Sequence, residues 1–155
     1  MARIGDVMSM RVVSVRPGDR VQLAITRMLE ENVGAVAVCE GQELVGIFTE
    51  RDVLRMAGEG EQLGEARIGD VMTRSPVTVG LDDDVLAAAH LMGERRIRHL
   101  PVVEGGNLLG IVGIRDVLRG LVERLWREHD EEARRTARSL LARGREVPSA
   151  GTEGV

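Results

Sequence analysis

The stretch Ile4-Gly5-Asp6-Val7-Met8 returns as Ile68-Gly69-Asp70-Val71-Met72, and the correspondence runs on without a gap, at a constant offset of 64, through Arg55 and Arg119. Of the 52 aligned positions 23 are identical, among them Arg51-Asp52-Val53-Leu54-Arg55 with Arg115-Asp116-Val117-Leu118-Arg119. Self-similarity at a fixed period constrains the fold more than any local propensity, because a unit this small buries its apolar face only against a neighbouring copy. Function is then to be sought where the copies differ.

The chain has 155 residues, enough for one compact domain or two small ones sharing a core. Phe48 is the sole phenylalanine and Trp126 the sole tryptophan, so aliphatic side chains must fill the interior and line any pocket. A net charge of −4 argues against general nucleic-acid binding, which needs a dominant positive face. Every basic side chain is arginine, which excludes the phosphate-loop lysine and Schiff-base chemistry. Cys39 stands alone, without an internal disulfide partner, as suits a reducing compartment. Asp6 sits early in a start that has no long apolar run, so neither signal peptide nor membrane span is expected; the expected location is the cytoplasm.

Each copy reads as strand, helix, strand, strand, helix. In the first, Val12 to Val15 has the β-branched content of a strand, and Asp19 stands where it can cap a helix running to about Asn32. Val21, Ala24, Ile25, Met28 and Leu29 give that helix one apolar face. Gly34 releases the chain into Ala35 to Cys39, Gly41-Gln42 turns it into Leu44 to Phe48, and a helix follows near Glu50. The second copy repeats this with Val77 to Val79, a helix from about Asp84 to Arg95, Leu100 to Val103, Leu108 to Val112 and a helix from Ile114.

The predicted class is α+β: repeat one at 1–57, a linker at 58–67, repeat two at 68–125, a helical extension at 126–143 and a disordered tail at 144–155. The two three-stranded sheets are expected to pack about a pseudo-twofold axis with a cleft on each side of the seam. Leading into the extension, Leu121, Val122, Leu125 and Trp126 prolong an apolar stripe before a run of interleaved charges. That is either a terminal helix packed at its start or a partner contact anchored by Trp126.

Gly46-Ile47-Phe48-Thr49-Glu50-Arg51-Asp52 leads a strand straight into a helix. Thr49 and Asp52 have the spacing of a capping box, and that structural role alone would explain both. The same geometry also offers free N–H groups to an anion and a carboxylate to the vicinal hydroxyls of a ribose. In copy two Asp116 persists while Gly113 replaces the threonine, so the clefts are expected to be unequal, the Thr49 and Asp52 cleft keeping the better ribose end. The second constellation is Arg95-Arg96-Ile97-Arg98-His99. Arg95 and Arg96 read as complements to a helix dipole. Arg98 and His99 precede a buried strand where copy one has Gly34 and Ala35, so one repeat alone offers guanidinium and imidazole donors there.

Together the paired repeats, the Gly-x-x-Thr-x-x-Asp run at Gly46 to Asp52 and the His-Leu-Pro-Val-Val run at His99 to Val103 resemble tandem CBS domains, the regulatory pair called a Bateman module. The resemblance covers about residues 3 to 125. It implies β-α-β-β-α repeats that bind AMP, ADP, ATP, S-adenosylmethionine or NAD between the repeats, and a disc-like homodimer. It implies Asp52 as a ribose ligand, Thr49 on ribose or phosphate, and Thr78, Ile97, Arg98 and His99 beside that ligand. For the Asp116 site it implies Ser14, Val33, Gly34 and Ala35, with Arg98 and His99 toward the phosphates. Gly113 departs from the family pattern, and so does Ala37, which stands where the other copy has Pro101.

The leading expectation is therefore a non-enzymatic sensor of an adenine nucleotide, without metal or catalytic residues, whose output acts in trans on a separate protein partner. Cys39, His90 and His129 have no sequence neighbours suggesting a nucleophile, base or metal cluster. The alternative is a ligand-independent dimerisation and docking module.

Overall fold

A computed structural model describes residues 2–128 and 131–143; His129 and the tail expected at 144–155 fall outside the described residues. The chain divides into a unit of residues 1–121 and a second of residues 122–155. In the first, copy one supplies α1 (Ile4–Val7), β1 (Ser14–Val15), α2 (Val21–Glu31), β2 (Ala35–Glu40), β3 (Glu43–Thr49) and α3 (Glu50–Gly58). Copy two supplies α4 (Ile68–Val71), β4 (Thr73–Arg74), α5 (Val85–Arg95), β5 (His99–Glu104), β6 (Asn107–Gly113) and the start of α6 (Ile114–Glu128).

The expected two sheets are joined edge to edge. The order is β1-β2-β3-β6-β5, with β4 also on β3, and β3 meets β6 at one rung, Glu43 opposite Asn107. The two hairpins clasp there: Leu44 N–H donates to the Gly106 carbonyl (3.2 Å) and Leu108 N–H to that of Gln42 (3.0 Å). Both antiparallel pairs carry a register shift at the same point, Val38/Cys39 and Val102/Val103.

Three local expectations are corrected. The strand at Val77 to Val79 shrinks to a single bridge, Val79 to Val102. In copy one Ala37 N–H donates to the Val13 carbonyl (3.0 Å); the aligned Pro101 has no N–H to give Val77, so the ladder loses that rung. Asp19 does not cap α2, whose N-cap is Arg20; its carboxylate instead accepts the Arg16 N–H (2.8 Å) within the preceding turn. Asp84, aligned with Arg20, does cap α5, accepting from Leu86 and Ala87 N–H. The left-handed residue ending α2 is Asn32 (φ 52°), with Arg96 (φ 54°) ending α5, so Gly34 is not needed for its backbone freedom.

There is no single shared core. Val15, Val21, Ala24, Met28, Val36, Val38, Phe48 and Met56 of copy one form one buried cluster, and Val79, Val85, Ala88, Met92, Leu100, Val102, Val112 and Val117 of copy two form another. Each is completed by the opening segment of the other copy. Ile4 and Val7 sit in the second cluster, Ile68 and Met72 in the first. Backbone bonds repeat the exchange: Ile4 N–H donates to the Asp83 carbonyl and Ile68 N–H to that of Asp19, both at 2.9 Å. Gly5 N–H likewise donates to Leu81 (2.9 Å) and Gly69 N–H to Pro17 (2.8 Å). Ser9 then bridges to Ile111 of copy two while Thr73 pairs with Ile47 of copy one. The crossing chains pass so close that a Cβ on Gly110 would lie 2.6 Å from the Ser9 carbonyl oxygen, and one on Gly46 2.9 Å from that of Thr73.

The second unit holds the end of α6 and α7 (Glu131–Arg143). Trp126 is partly buried, and the Arg134 guanidinium donates to its carbonyl (2.5 Å). Among the described residues no helix is long and apolar enough to cross a membrane.

Candidate functional site

Each final strand of a repeat runs without a break into a helix, and that junction builds the site. Glu50 N–H donates to the Gly34 carbonyl (3.0 Å) and Ile114 N–H to that of Arg98 (2.9 Å), which fixes each helix start beside the start of the neighbouring strand. Asp52 Oδ2 accepts the Thr49 N–H (2.8 Å) and the Thr49 hydroxyl (3.2 Å); Asp116 Oδ2 accepts the Gly113 N–H (3.0 Å). Both aspartates therefore do cap their helices. One carboxylate oxygen of each remains, and here the copies part. Asp116 Oδ1 accepts Arg119 Nη2 at 3.0 Å, whereas the equivalent Arg55 stands 3.7 Å from Asp52 Oδ1 and also reaches Glu59. Asp52 thus keeps the freer acceptor for an incoming hydroxyl, in the cleft that also has the threonine.

The Asp52 cleft encloses about 570 Å³, within the range of a small-molecule site. It joins Thr49 and Asp52 of copy one to Ile97, Arg98 and His99 of copy two. Thr78 is not part of its wall: it is exposed, and Pro76 and Val77 line the cleft instead. Glu50, Arg51 and Arg96 were not foreseen there. Arg96 enters because the left-handed turn at the end of α5 swings it off the helix, and Arg51 Nη1 donates to its carbonyl (2.9 Å), tying the two repeats together at the cleft. The wall carries Arg51, Arg96 and Arg98 against Glu50 and Asp52, so it is net positive. Ile47, Leu54, Pro76, Val77 and Ile97 make an aliphatic surface, as a chain poor in aromatic residues requires.

The Asp116 cleft, of about 390 Å³, gathers Val33, Gly34, Ala35, Arg98, His99 and Asp116 as expected. Ser14 is exposed and lies outside it; Val13 takes the place, mirroring Val77 in the other cleft. Ser9 and Arg11 also enter, carried in by the exchanged opening segment, and Arg11 is ion-paired with Glu31. Only the crossing of chains brings them there, and no local sequence signal announces it. Glu50, Arg98 and His99 line both clefts.

His99 is partly buried, and its pKa is lowered chiefly by burial; Arg98 lowers it further, while Glu50 and Asp116 pull it back up. The ring is therefore neutral at pH 7 and offers one N–H donor and one acceptor. Because its folded pKa lies below the ordinary value of about 6.5, the unfolded chain takes up the proton first, and the stability His99 contributes is present above that value and lost as pH falls. Thermal melts of the protein and of His99→Gln between pH 8 and pH 5 are expected to converge toward the acid end. A gap that widens on acidification would reverse the assignment. Burial raises the Cys39 pKa, so the thiol is held protonated inside β2. Among the described residues no three His, Cys, Asp or Glu side chains gather as a metal site.

Comparison with known proteins agrees with the duplicated architecture. The CBS domain family profile matches residues 4–59 and again 68–123. The chain is 41% identical over 123 residues to the mitochondrial CBS domain-containing protein CBSX3 of Arabidopsis thaliana, covering 76% of this chain and 58% of that longer relative. Among solved structures it resembles CBSX2 in complex with AMP, at 29% identity and a TM-score of 0.70, covering 79% of this chain and 98% of the other. It also resembles the CBS domain protein PAE2072 of Pyrobaculum aerophilum complexed with AMP, at 26% identity and a TM-score of 0.70, covering 78% and 98%. Two repeats, each closing the other's core and each ending in a strand-to-helix junction with its aspartate, are a tandem pair, and the chain belongs to the CBS domain family.

Proposed function

We propose that this protein is a non-enzymatic regulatory module that binds an adenosine nucleotide of the AMP, ADP or ATP class and passes its occupancy to a separate protein in the cytoplasm. The observation that carries this reading is the Asp52 cleft: a ribose-accepting carboxylate and hydroxyl at the head of α3, arginines for phosphate opposite, and aliphatic walls for the base. The AMP complexes of two similar CBS proteins support the choice of ligand class. Isothermal titration with AMP, ADP, ATP, NAD and S-adenosylmethionine tests it. Binding of at least one adenine nucleotide below millimolar concentration is expected, and silence from all five would end the proposal.

The role of Asp52 is checked separately. Asp52→Ala removes a charge-assisted hydrogen bond to ribose, about 1.5 kcal/mol, so affinity should fall roughly tenfold while circular dichroism stays unchanged. An unaltered dissociation constant would remove Asp52 from the site.

A homodimer is the second part of the proposal. Leu54 on α3 and Leu118 on α6 occupy equivalent positions and are 74% and 53% exposed, an arrangement that suits a symmetric face built from the last helix of each repeat. That face also supports the competing reading of a docking module indifferent to nucleotide, which predicts partner capture unaffected by AMP.

A further inference from the structure

Three side chains at the partition between the clefts, Glu50, Arg98 and His99, line both of them. They stand where the two copies differ most in character: Gly34 aligns with Arg98, Ala35 with His99, and Glu50 with Ile114. Packing is close where they diverge. A Cβ on Gly34 would lie 3.0 Å from Glu50 Oε1 and 3.2 Å from His99 Cε1, so a bulky residue at this seam faces a small counterpart from the other copy. The consequence is one guanidinium for two pockets. Among the described residues the Arg98 side chain is exposed and makes no hydrogen bond or ion pair that would hold it on either side.

We propose that the two clefts are negatively coupled for anionic ligands because both draw on Arg98. A phosphate in one cleft takes the guanidinium and leaves the other with Glu50 on its wall and without Arg98. The inference rests on the nucleotide reading above and adds to it an interaction between sites. The Asp116 cleft is the more dependent, since its Arg11 is already paired with Glu31 and only Arg115 remains besides Arg98. The Asp52 cleft keeps Arg51 and Arg96 on its own wall. A neutral nucleoside makes no claim on Arg98 and fills both clefts independently.

Calorimetric titration of the full chain and of Arg98→Gln with AMP and with adenosine tests the coupling. In the unsubstituted protein the first AMP uses Arg98 and the second does not. Arg98→Gln should therefore weaken the first binding step by about tenfold, within the usual span of coupling between sites, and leave the second within about twofold. Adenosine should respond at neither step. If only one AMP binds, two adenosines should, since the second cleft is closed to charge alone. Equal weakening of both AMP steps, weakening of neither, or single stoichiometry for both ligands overturns the proposal while leaving nucleotide binding intact. Failure of the unsubstituted protein to bind AMP overturns the coupling, and silence from all five ligands overturns the nucleotide reading as well.

Discussion

Ile4→Ala is expected to destabilise the protein by about 2–5 kcal/mol and to loosen the repeat to which Ile4 does not belong in sequence. Ile4 is fully buried among Val79, Val85, Leu100 and Val117, all of copy two, and its backbone N–H is tied to Asp83. Truncation leaves a cavity in that cluster, and the surrounding β5, β6 and α5 cannot collapse into it without breaking their own packing. Denaturant unfolding gives the magnitude; amide hydrogen exchange gives the place, because local stability is read element by element. Protection should fall first in β5, β6 and α5. Ile68→Ala is the mirror experiment and should loosen β2, β3 and α2. Loss of protection in β2 and β3 on truncating Ile4 would show that the exchange of opening segments does not hold in solution.

Gly110→Ala is expected to cost about 1–3 kcal/mol by overpacking and to impair the Asp116 cleft selectively. The new methyl would meet the Ser9 carbonyl oxygen at 2.6 Å, and that oxygen accepts the Ile111 N–H, so a flexible side chain is not what must yield. The segment carrying Ser9 and Arg11 would be pushed off β6, and both residues belong to the Asp116 wall. The Asp52 cleft shares no part of that segment. Under the nucleotide reading, AMP titration of Gly110→Ala should retain the tighter site and lose the weaker one. A melting temperature within a degree of the unsubstituted protein would mean that the close approach is not a constraint.

Much of this was legible before any coordinates. The 64-residue period located both repeats, and the Thr49 to Asp52 spacing located the helix start that carries the acceptor. Arg98 and His99 stand out because copy two departs there from Gly34 and Ala35 of copy one, Ile97 is implied only by the family resemblance, and all three line the Asp52 cleft. The misses have physical causes. Thr78 and Ser14 each lie one position beyond the residue that lines the cleft, Val77 and Val13, and in extended chain a shift of one turns a side chain to the opposite face. Arg96 looked like an ordinary helix-end cation until the left-handed turn moved it into the cleft. Glu50 differs from its counterpart Ile114 as Arg98 does from Gly34, but as the first residue of a helix it reads as an ordinary acidic complement to the helix dipole.

The sequence by itself determined the repeat, the order of its elements, the inequality of the two helix starts and the aliphatic character of any pocket, since all of these are set by local pattern and by comparing one copy with the other. Only the tertiary structure decided that the opening segments cross to the opposite core, that Ser9 and Arg11 thereby reach a cleft, and that Arg98 faces two pockets at once. Those are contacts between residues far apart along the chain, governed by packing about a pseudo-twofold axis, and no spacing within either repeat encodes them.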